Sequence, residues 1–420
     1  MLSLINLFNY LDRYVISALV ESLKHSALAL SDAQSGSLMF GFLAVYTLAA
    51  PLFGVLGDRG SRPRLMAFGV GCWSVATVLS GFAGSYLGLL AARASVGIGE
   101  AAYGTIAPSL LSDYYPIAQR GRVMAIFFCA IPVGSALGYV VGGLIDSHFG
   151  WRAAFFAAGL PGFALAALCL RLYDPPRGSQ DAPGADAPSP RQAPGEASPG
   201  DASPGDAPPG DASPAARPTY LMLLKNRPYG ITVLGYAAYT FAMGGLAYWM
   251  PAFLERIRGM PHAAATVSFG AIVVVTGFVG TFIGGWLGDL CAKRSPQAYL
   301  WVSAAATLAA APFVWLALTT VSNTGYLVCM VIAQLLMFLS TGPINATIIN
   351  LVLPTQRASA VALEVFVIHL LGDAISPLLI GWLSDASSLG EAVKIVPVAV
   401  VLSGLLWVWA AREQARGPTQ

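Results

Sequence analysis

Four ionisable residues stand in apolar surroundings: Asp12 and Arg13 in NLFNYLDRYVISALV (Asn6–Val20), Arg93 and Glu100 in RASVGIGEAA (Arg93–Ala102). A charge at hydrocarbon depth costs at least a few kcal/mol, so such residues are kept for binding or transport. Arg93 precedes Glu100 by seven residues, which is two turns along the same helix face and about 10 Å. Counted at about 1.5 Å per residue, Asp12 and Arg13 fall roughly 12–14 Å from one membrane face. Glu100 falls about 10 Å from the same face of a core about 30 Å thick. The sequence thus predicts Asp12, Arg13 and Glu100 at one level, with Arg93 above them. Burial favours the protonated form of a carboxyl and a nearby arginine favours the ionised form, so an arginine that moves can load and unload a proton. The guanidinium fork also suits a phosphate head group. Asp12, Glu100 and Arg93 are therefore the candidates for proton coupling, and Arg13 and Glu100 for contact with substrate. A static ion-pair cluster is the alternative, but apolar packing would usually stabilise the helices as well or better.

The elements that must carry these charges are membrane spans. Of 420 residues 56% are hydrophobic and only 10% charged, against about 25% charged in a soluble domain. That balance excludes an ordinary cytosolic enzyme. Runs of about 20 apolar residues, enough to cross a bilayer, recur twelve times, near 2–20, 35–57, 65–84, 87–111, 123–146, 152–172, 229–253, 264–288, 298–319, 325–350, 359–383 and 393–411. With the N-terminus inside, sixteen of the 23 lysines and arginines fall in inner loops and the tail and five in outer loops, while Arg13 and Arg93 lie within spans. By the positive-inside rule both termini are expected in the cytoplasm. The first run carries internal charges and no cleavage site follows it, which argues against a signal peptide. No basic stripe suggests nucleic acid, and the five cysteines in or beside spans read as small apolar residues.

A stretch rich in Pro, Gly, Ala, Asp and Ser, ending GDASPGDAPPGDASPAARP, separates six spans from six. Such a composition cannot bury enough apolar surface to fold, so 173–219 is expected to be a disordered cytoplasmic linker between bundles at 1–172 and 220–420. The halves echo each other: GVLGDRGSRPR (Gly54–Arg64) matches GWLGDLCAKRS (Gly285–Ser295), and PIAQRGRVMA matches PTQRASAVA. Gly134 and Gly143 match Gly372 and Gly381 at a constant offset. Duplicated bundles of this kind are the architecture of secondary transporters, with the site between the halves.

GVLGDRGSRPR resembles the signature loop between the second and third helices of the major facilitator superfamily, and RASVGIGEAA resembles its fourth-helix arginine motif. NYLDRYVIS, GIGEAAYGTIAPSLLSDYYP and AIPVGSALGYVVGG together resemble the spinster-like lipid transporters. The resemblance implies an all-α membrane protein of twelve helices in two pseudo-symmetric bundles. It further implies proton-coupled transport of lysolipids or sphingoid phosphates. Two features depart from the pattern. Ser61 stands where the superfamily usually has glycine, and the chain begins almost at its first helix, so a hydrophilic leader upstream is expected.

Other residues fill supporting roles. Asp58, Arg59, Arg62 and Arg64 read as a cytoplasmic gate in which Asp58 meets a helix N-terminus and the arginines pair with acids of the opposite half. Asp289 and Lys293 with Arg294 would be the second copy. Gly134, Gly138 and Gly142 repeat every fourth residue, the spacing of close helix packing, or of a hinge. The second half has Ala333 and Ser340 where the first has Arg93 and Glu100, so the charged site is one-sided. His369 and Asp373, four apart beside Glu364, are secondary proton candidates. Tyr248 and Trp249, in an aromatic seventh span, could wall an apolar tail. No P-loop, no HExxH and four scattered histidines leave no support for an enzyme, a cofactor or a metal. The expected function is proton-coupled transport of amphiphilic lipids by alternating access, in the plasma membrane (the inner membrane of a bacterium), by a monomer. Exporters of amphiphilic drugs, organic-anion carriers and a non-transporting receptor are the alternatives.

Overall fold

The computed structural model describes residues 1–180, 223, 225–295, 297–352 and 357–416. The helices are α1 (Leu2–Ala18), α2 (Val20–His25), α3 (Asp32–Arg59), α4 (Arg62–Phe82), α5 (Tyr86–Tyr114), α6 (Ile117–Phe128), α7 (Ala130–Phe149) and α8 (Trp151–Cys169). In the second half they are α9 (Arg227–Arg256), α10 (His262–Ala292), α11 (Ala298–Thr319), α12 (Asn323–Leu339), α13 (Thr341–Asn350) and α14 (Arg357–Ile368). A π-helical turn over His369–Asp373 then leads into α15 (Ile375–Ala386), α16 (Leu389–Ala392) and α17 (Ile395–Ala415). Among the described residues ten segments are long and apolar enough to cross a membrane. The two other expected spans are α1, of 17 residues, and α5, of 29. Both carry the buried charges, which lowers their apolarity for a physical reason.

Helix breaks are local and have causes. Three runs expected as single helices are interrupted, at Cys129, at Ser340 and at the π turn. At the π turn Gly372 leaves helical geometry (φ −110°, ψ −106°). A Cβ there would meet the Thr240 hydroxyl at 2.1 Å, so only glycine lets α9 approach. Thr240 donates to the Ile368 carbonyl at 3.1 Å, which satisfies a backbone group that the break would free.

Within each half the spans pack in the same pattern: α4 against α5 and α8 in the first, α11 against α12 and α17 in the second. The halves meet through α3 with α15 and through α10 with α7, the same contact with the halves exchanged. Gly36 of α3 sits so close to α15 that an added Cβ would lie 2.2 Å from the Pro377 carbonyl oxygen. These contacts gather at the end away from the chain termini, here the far face. At the opposite end α6 and α14 pack within their own halves. The bundles are sealed at the far face, and at the face that carries the termini no hydrogen bond or ion pair joins the halves among the described residues. The expected linker lies outside the described residues from 181 onward. Its first residues are folded against the first half, where Ser179 donates to the Asp113 carbonyl at 3.1 Å.

Candidate functional site

Helices α1, α4 and α5 bring the four predicted charges together. Arg13 donates from Nε and a terminal nitrogen to Glu100 Oε2, at 3.2 and 2.8 Å. Arg93 donates to Asp12 Oδ1 at 3.1 Å and to the Asp12 carbonyl at 3.3 Å. The second Asp12 oxygen accepts from Thr77 of α4 at 2.5 Å. Asp12 and Glu100 are 0% exposed, Arg93 1% and Arg13 9%. The four predicted charges meet, with the pairing crossed: each arginine takes an acid from the other helix. Glu100 Oε1 and Arg93 Nε are buried without a hydrogen-bond partner, so the cluster keeps unused capacity for a proton, a water or a ligand oxygen.

Aromatic rings enclose the guanidinium of Arg13. Its central carbon lies 4.7 Å from the Tyr10 ring centre, 5.1 Å from Phe42 and 5.3 Å from Tyr46. Such faces attract a cation and hold its plane. The α1 backbone is fixed by α7, where a Cβ on Gly134 or Gly138 would meet the Leu7 or Leu11 carbonyl oxygen at 2.5 or 2.7 Å. The glycine stripe, with Gly142 against Val15 and Ala18, is therefore the seat of α1, and the packing reading holds in this conformation.

From the second half, α9 and the π turn face this cluster. A cavity of about 20 Å³, room for about one water, lies among Arg13, Tyr14, Met39, Leu43, Gly244, Ala247, Tyr248 and Asp373. Opposite charges, Arg13 and Asp373, thus line it from opposite halves. His369 Nδ1 lies 2.9 and 3.1 Å from the Asp373 carboxylate oxygens, as their spacing suggested, and its ring stands edge-on to Tyr46 of the first half, 6.0 Å between centres. At the positions matching the charged motif, Ala333 and Ser340 are buried and Ser340 bonds Thr307 at 2.8 Å.

Tyr248 lines this small cavity, and the polar atoms of both Tyr248 and Trp249 are engaged across the helices. The Tyr248 hydroxyl donates to the Ser35 carbonyl across the halves, and Trp249 Nε1 donates to the Pro377 carbonyl at 3.0 Å. Both belong to the far-face seal, because α9 leans on α3 and α15 there. The seal holds an ionic cluster that the sequence did not single out. Arg256, at the end of α9, reaches Glu21 at 3.0 and 2.5 Å and Asp32 at 2.5 and 3.0 Å. Lys24 and Ser384 also donate to Asp32. Asp385 accepts the Asp32 and Ala33 amides at 2.9 Å, capping α3 from the other half. Each of these residues lies at a span end, where a charge looks like ordinary anchoring.

The gate expected at the terminal face takes another form. Arg62 is 1% exposed and pairs with Asp113 and, at 2.8 Å, with Asp174, both belonging to or directly following the first half. Arg177 donates to the Gly57 and Gly60 carbonyls at 2.7 and 2.6 Å. Asp58, Arg59 and Arg64 are exposed and make no hydrogen bond or ion pair among the described residues, and Lys293 is exposed likewise. Asp289 accepts from Tyr299 of its own half at 2.8 Å. Among the described residues the expected cross-half pairs are not made: the polar groups at this end are paired within their own half or are exposed.

Two mirrored bundles sealed at one end around buried, paired charges define a secondary membrane transporter. A model of the Major Facilitator Superfamily matches residues 2–377. The sphingosine-1-phosphate transporter SPNS2 of Danio rerio is 32% identical, covering 98% of this chain and 82% of its own. Protein spinster of Drosophila melanogaster is 32% identical, covering 92% of this chain and 61% of its own. Among solved structures, a bacterial homologue of the human lysosomal transporter spinster, inward-facing and unoccupied, has TM-score 0.81 at 24% identity, covering 99% of this chain and 96% of its own. The chain belongs to the major facilitator superfamily and, within it, to the spinster family: a multi-pass membrane transporter, not an enzyme.

Proposed function

We propose that this transporter carries amphiphilic lipids with a phosphate head group, lysophospholipids or sphingoid phosphates, by alternating access coupled to protons. The observation that carries the reading is the crossed pairing of Asp12 with Arg93 and Arg13 with Glu100 beside a cavity between the halves. Arg13 is the head-group ligand: it can exchange Glu100 for a phosphate, which the guanidinium fork matches equally well. Glu100, released, takes a proton, and Arg93 holds Asp12 until Asp12 does the same. The name of the SPNS2 relative supports the substrate class. With the termini cytoplasmic, as the loop charges favour, the present state faces inward. The gate arginines and Asp58 act in the opposite state, when the terminal face closes. The protein works as a monomer in the plasma or inner membrane.

Flux into proteoliposomes tests the reading. Labelled sphingosine-1-phosphate and lysophosphatidylcholine should move, faster under an imposed pH gradient. Movement of cationic amphiphilic drugs alone would replace it with drug export, and no movement of any of these would point to a receptor.

A further inference from the structure

The far face holds a second bridge between the halves, separate from the Arg256 cluster and from the central charges. His262, first residue of α10, sits with Nε2 at 3.0 Å from Asp146 Oδ2 and Nδ1 at 2.7 Å from Glu255 Oε2. Asp146 belongs to α7 of the first half and also accepts from Ser22 of α2. Glu255 and His262 belong to the second half. A neutral imidazole has one N–H and one lone pair, so it can donate to only one carboxylate and must turn its lone pair toward the other. Only the imidazolium carries an N–H on each side: here Nδ1 is hydrogen-bonded to Glu255, while Nε2 faces Asp146 at ion-pair distance without an aligned hydrogen bond. The remaining charged groups of this face are engaged elsewhere. Arg256 serves Glu21 and Asp32, Lys24 serves Asp32, Arg152 donates to the Ala83 carbonyl, Arg258 binds the Thr320 and Ala317 carbonyls, Lys394 pairs with Glu391, and Asp385 caps α3. His25 stands 3.8 Å from Glu21, and exposed His148 bonds Ser147 and the Leu144 carbonyl. Among the described residues no other cation touches Asp146 or Glu255.

We propose that His262 is a proton-operated latch on the far face: charged, it ties α10 to α7; neutral, it releases them. This goes beyond the role proposed for Asp12 and Glu100 and does not depend on it. By linkage, a closed state that binds a proton better than the parted state is favoured by acid on that side. The support is complete at low pH and is lost as pH rises past the ordinary imidazole range of about 6.5. One proton can change the closed-to-open ratio by at most about tenfold per pH unit. Arg256 keeps its charge throughout and sets the closure that remains.

The test is spin-label distances between Phe149→Cys and Pro261→Cys in the full chain, with the five native cysteines replaced, from pH 5.5 to 8.5. The parent should shift toward longer distances as pH rises. His262→Lys, which keeps the charge, should stay at the short, low-pH distribution throughout. His262→Gln should show the long distribution with no pH response. Glu255→Gln, which removes one of the two negative charges facing the ring and spares His262, should move the midpoint to lower pH. The pH response should persist in an Asp12→Asn, Glu100→Gln background, which separates this latch from the central acids. A parent that does not respond, or a His262→Lys or Glu255→Gln protein that responds as the parent does, would overturn the proposal even if His262→Gln does not fold.

Discussion

Two groups of arginine and carboxylate lie between the ends of this transporter, and they differ in which helices own them. The central group, Asp12, Arg13, Arg93 and Glu100, belongs to α1 and α5, with Thr77 of α4 beside it, all in the first half. The far-face group joins Glu21 and Asp32 of the first half to Arg256 and Ser384 of the second. A rocking of the halves as rigid bodies leaves every bond of the first group intact and breaks the second. The difference fits a division of labour in the proposed mechanism: the central pairs hold one bundle together and are the proposed proton and ligand sites, while the far-face pairs join the two halves and would set which side the cavity faces.

The comparison can be broken or sharpened by substitution. The largest effect is expected for Arg93→Met, which strands the Asp12 carboxylate at zero exposure; the folded bundle should lose about 3–5 kcal/mol, read as a large fall in thermal stability in detergent. Arg256→Gln should matter less to stability, since its side chain is 21% exposed, and more to conformation. Removing it should weaken far-face closure by ~2 kcal/mol, seen as longer distances between labels on α3 and α15. A fall in stability without that opening would mean the seal is structural only.

Asp12→Asn with Glu100→Gln mimics the protonated cluster. Differential binding of one proton contributes about 1.4 kcal/mol per unit of pKa difference between states, so the double variant, combined with His262→Lys to hold the far-face latch charged, should show low-pH distances across the terminal face at every pH from 4 to 8. A swing like the parent's would move coupling elsewhere, with His369 and Asp373 next. The smallest effect is expected for Arg13→Lys. Charge stays but the fork is lost, so affinity for a lysolipid phosphate should drop roughly tenfold, about 1.4 kcal/mol; unchanged affinity would remove Arg13 from the head-group site.

Much of the central group was legible in the chain because a charge in an apolar run is too costly to persist unless it pairs or binds, and because depth follows from counting residues at a fixed rise. Arg13 and Glu100 meet for that reason. Arg13 against Glu100 was one of two contacts the sequence allowed for Arg13; that Arg93 takes Asp12 was not legible, because rise gives height along a helix while facing depends on helix rotation and crossing, set by contacts such as Gly134 and Gly138 against α1. Thr77 escaped notice because a hydroxyl in a span bonds its own helix as readily as a neighbour. Arg62 was expected to reach the other half and instead holds Asp113 and Asp174, since a loop motif carries no record of which conformation is populated.

By itself the sequence determined the membrane class, the two repeated halves, the side on which basic loops gather and the level of the buried charges. All of these rest on composition, period and rise, which are local properties. Only the tertiary structure decided the crossed pairing, the kink at Gly372 and the far-face seal of Arg256 and His262. Those residues stand at span ends far apart in the chain, where a charge is at home with or without a partner, so only the approach of two helices from opposite halves turns them into a lock.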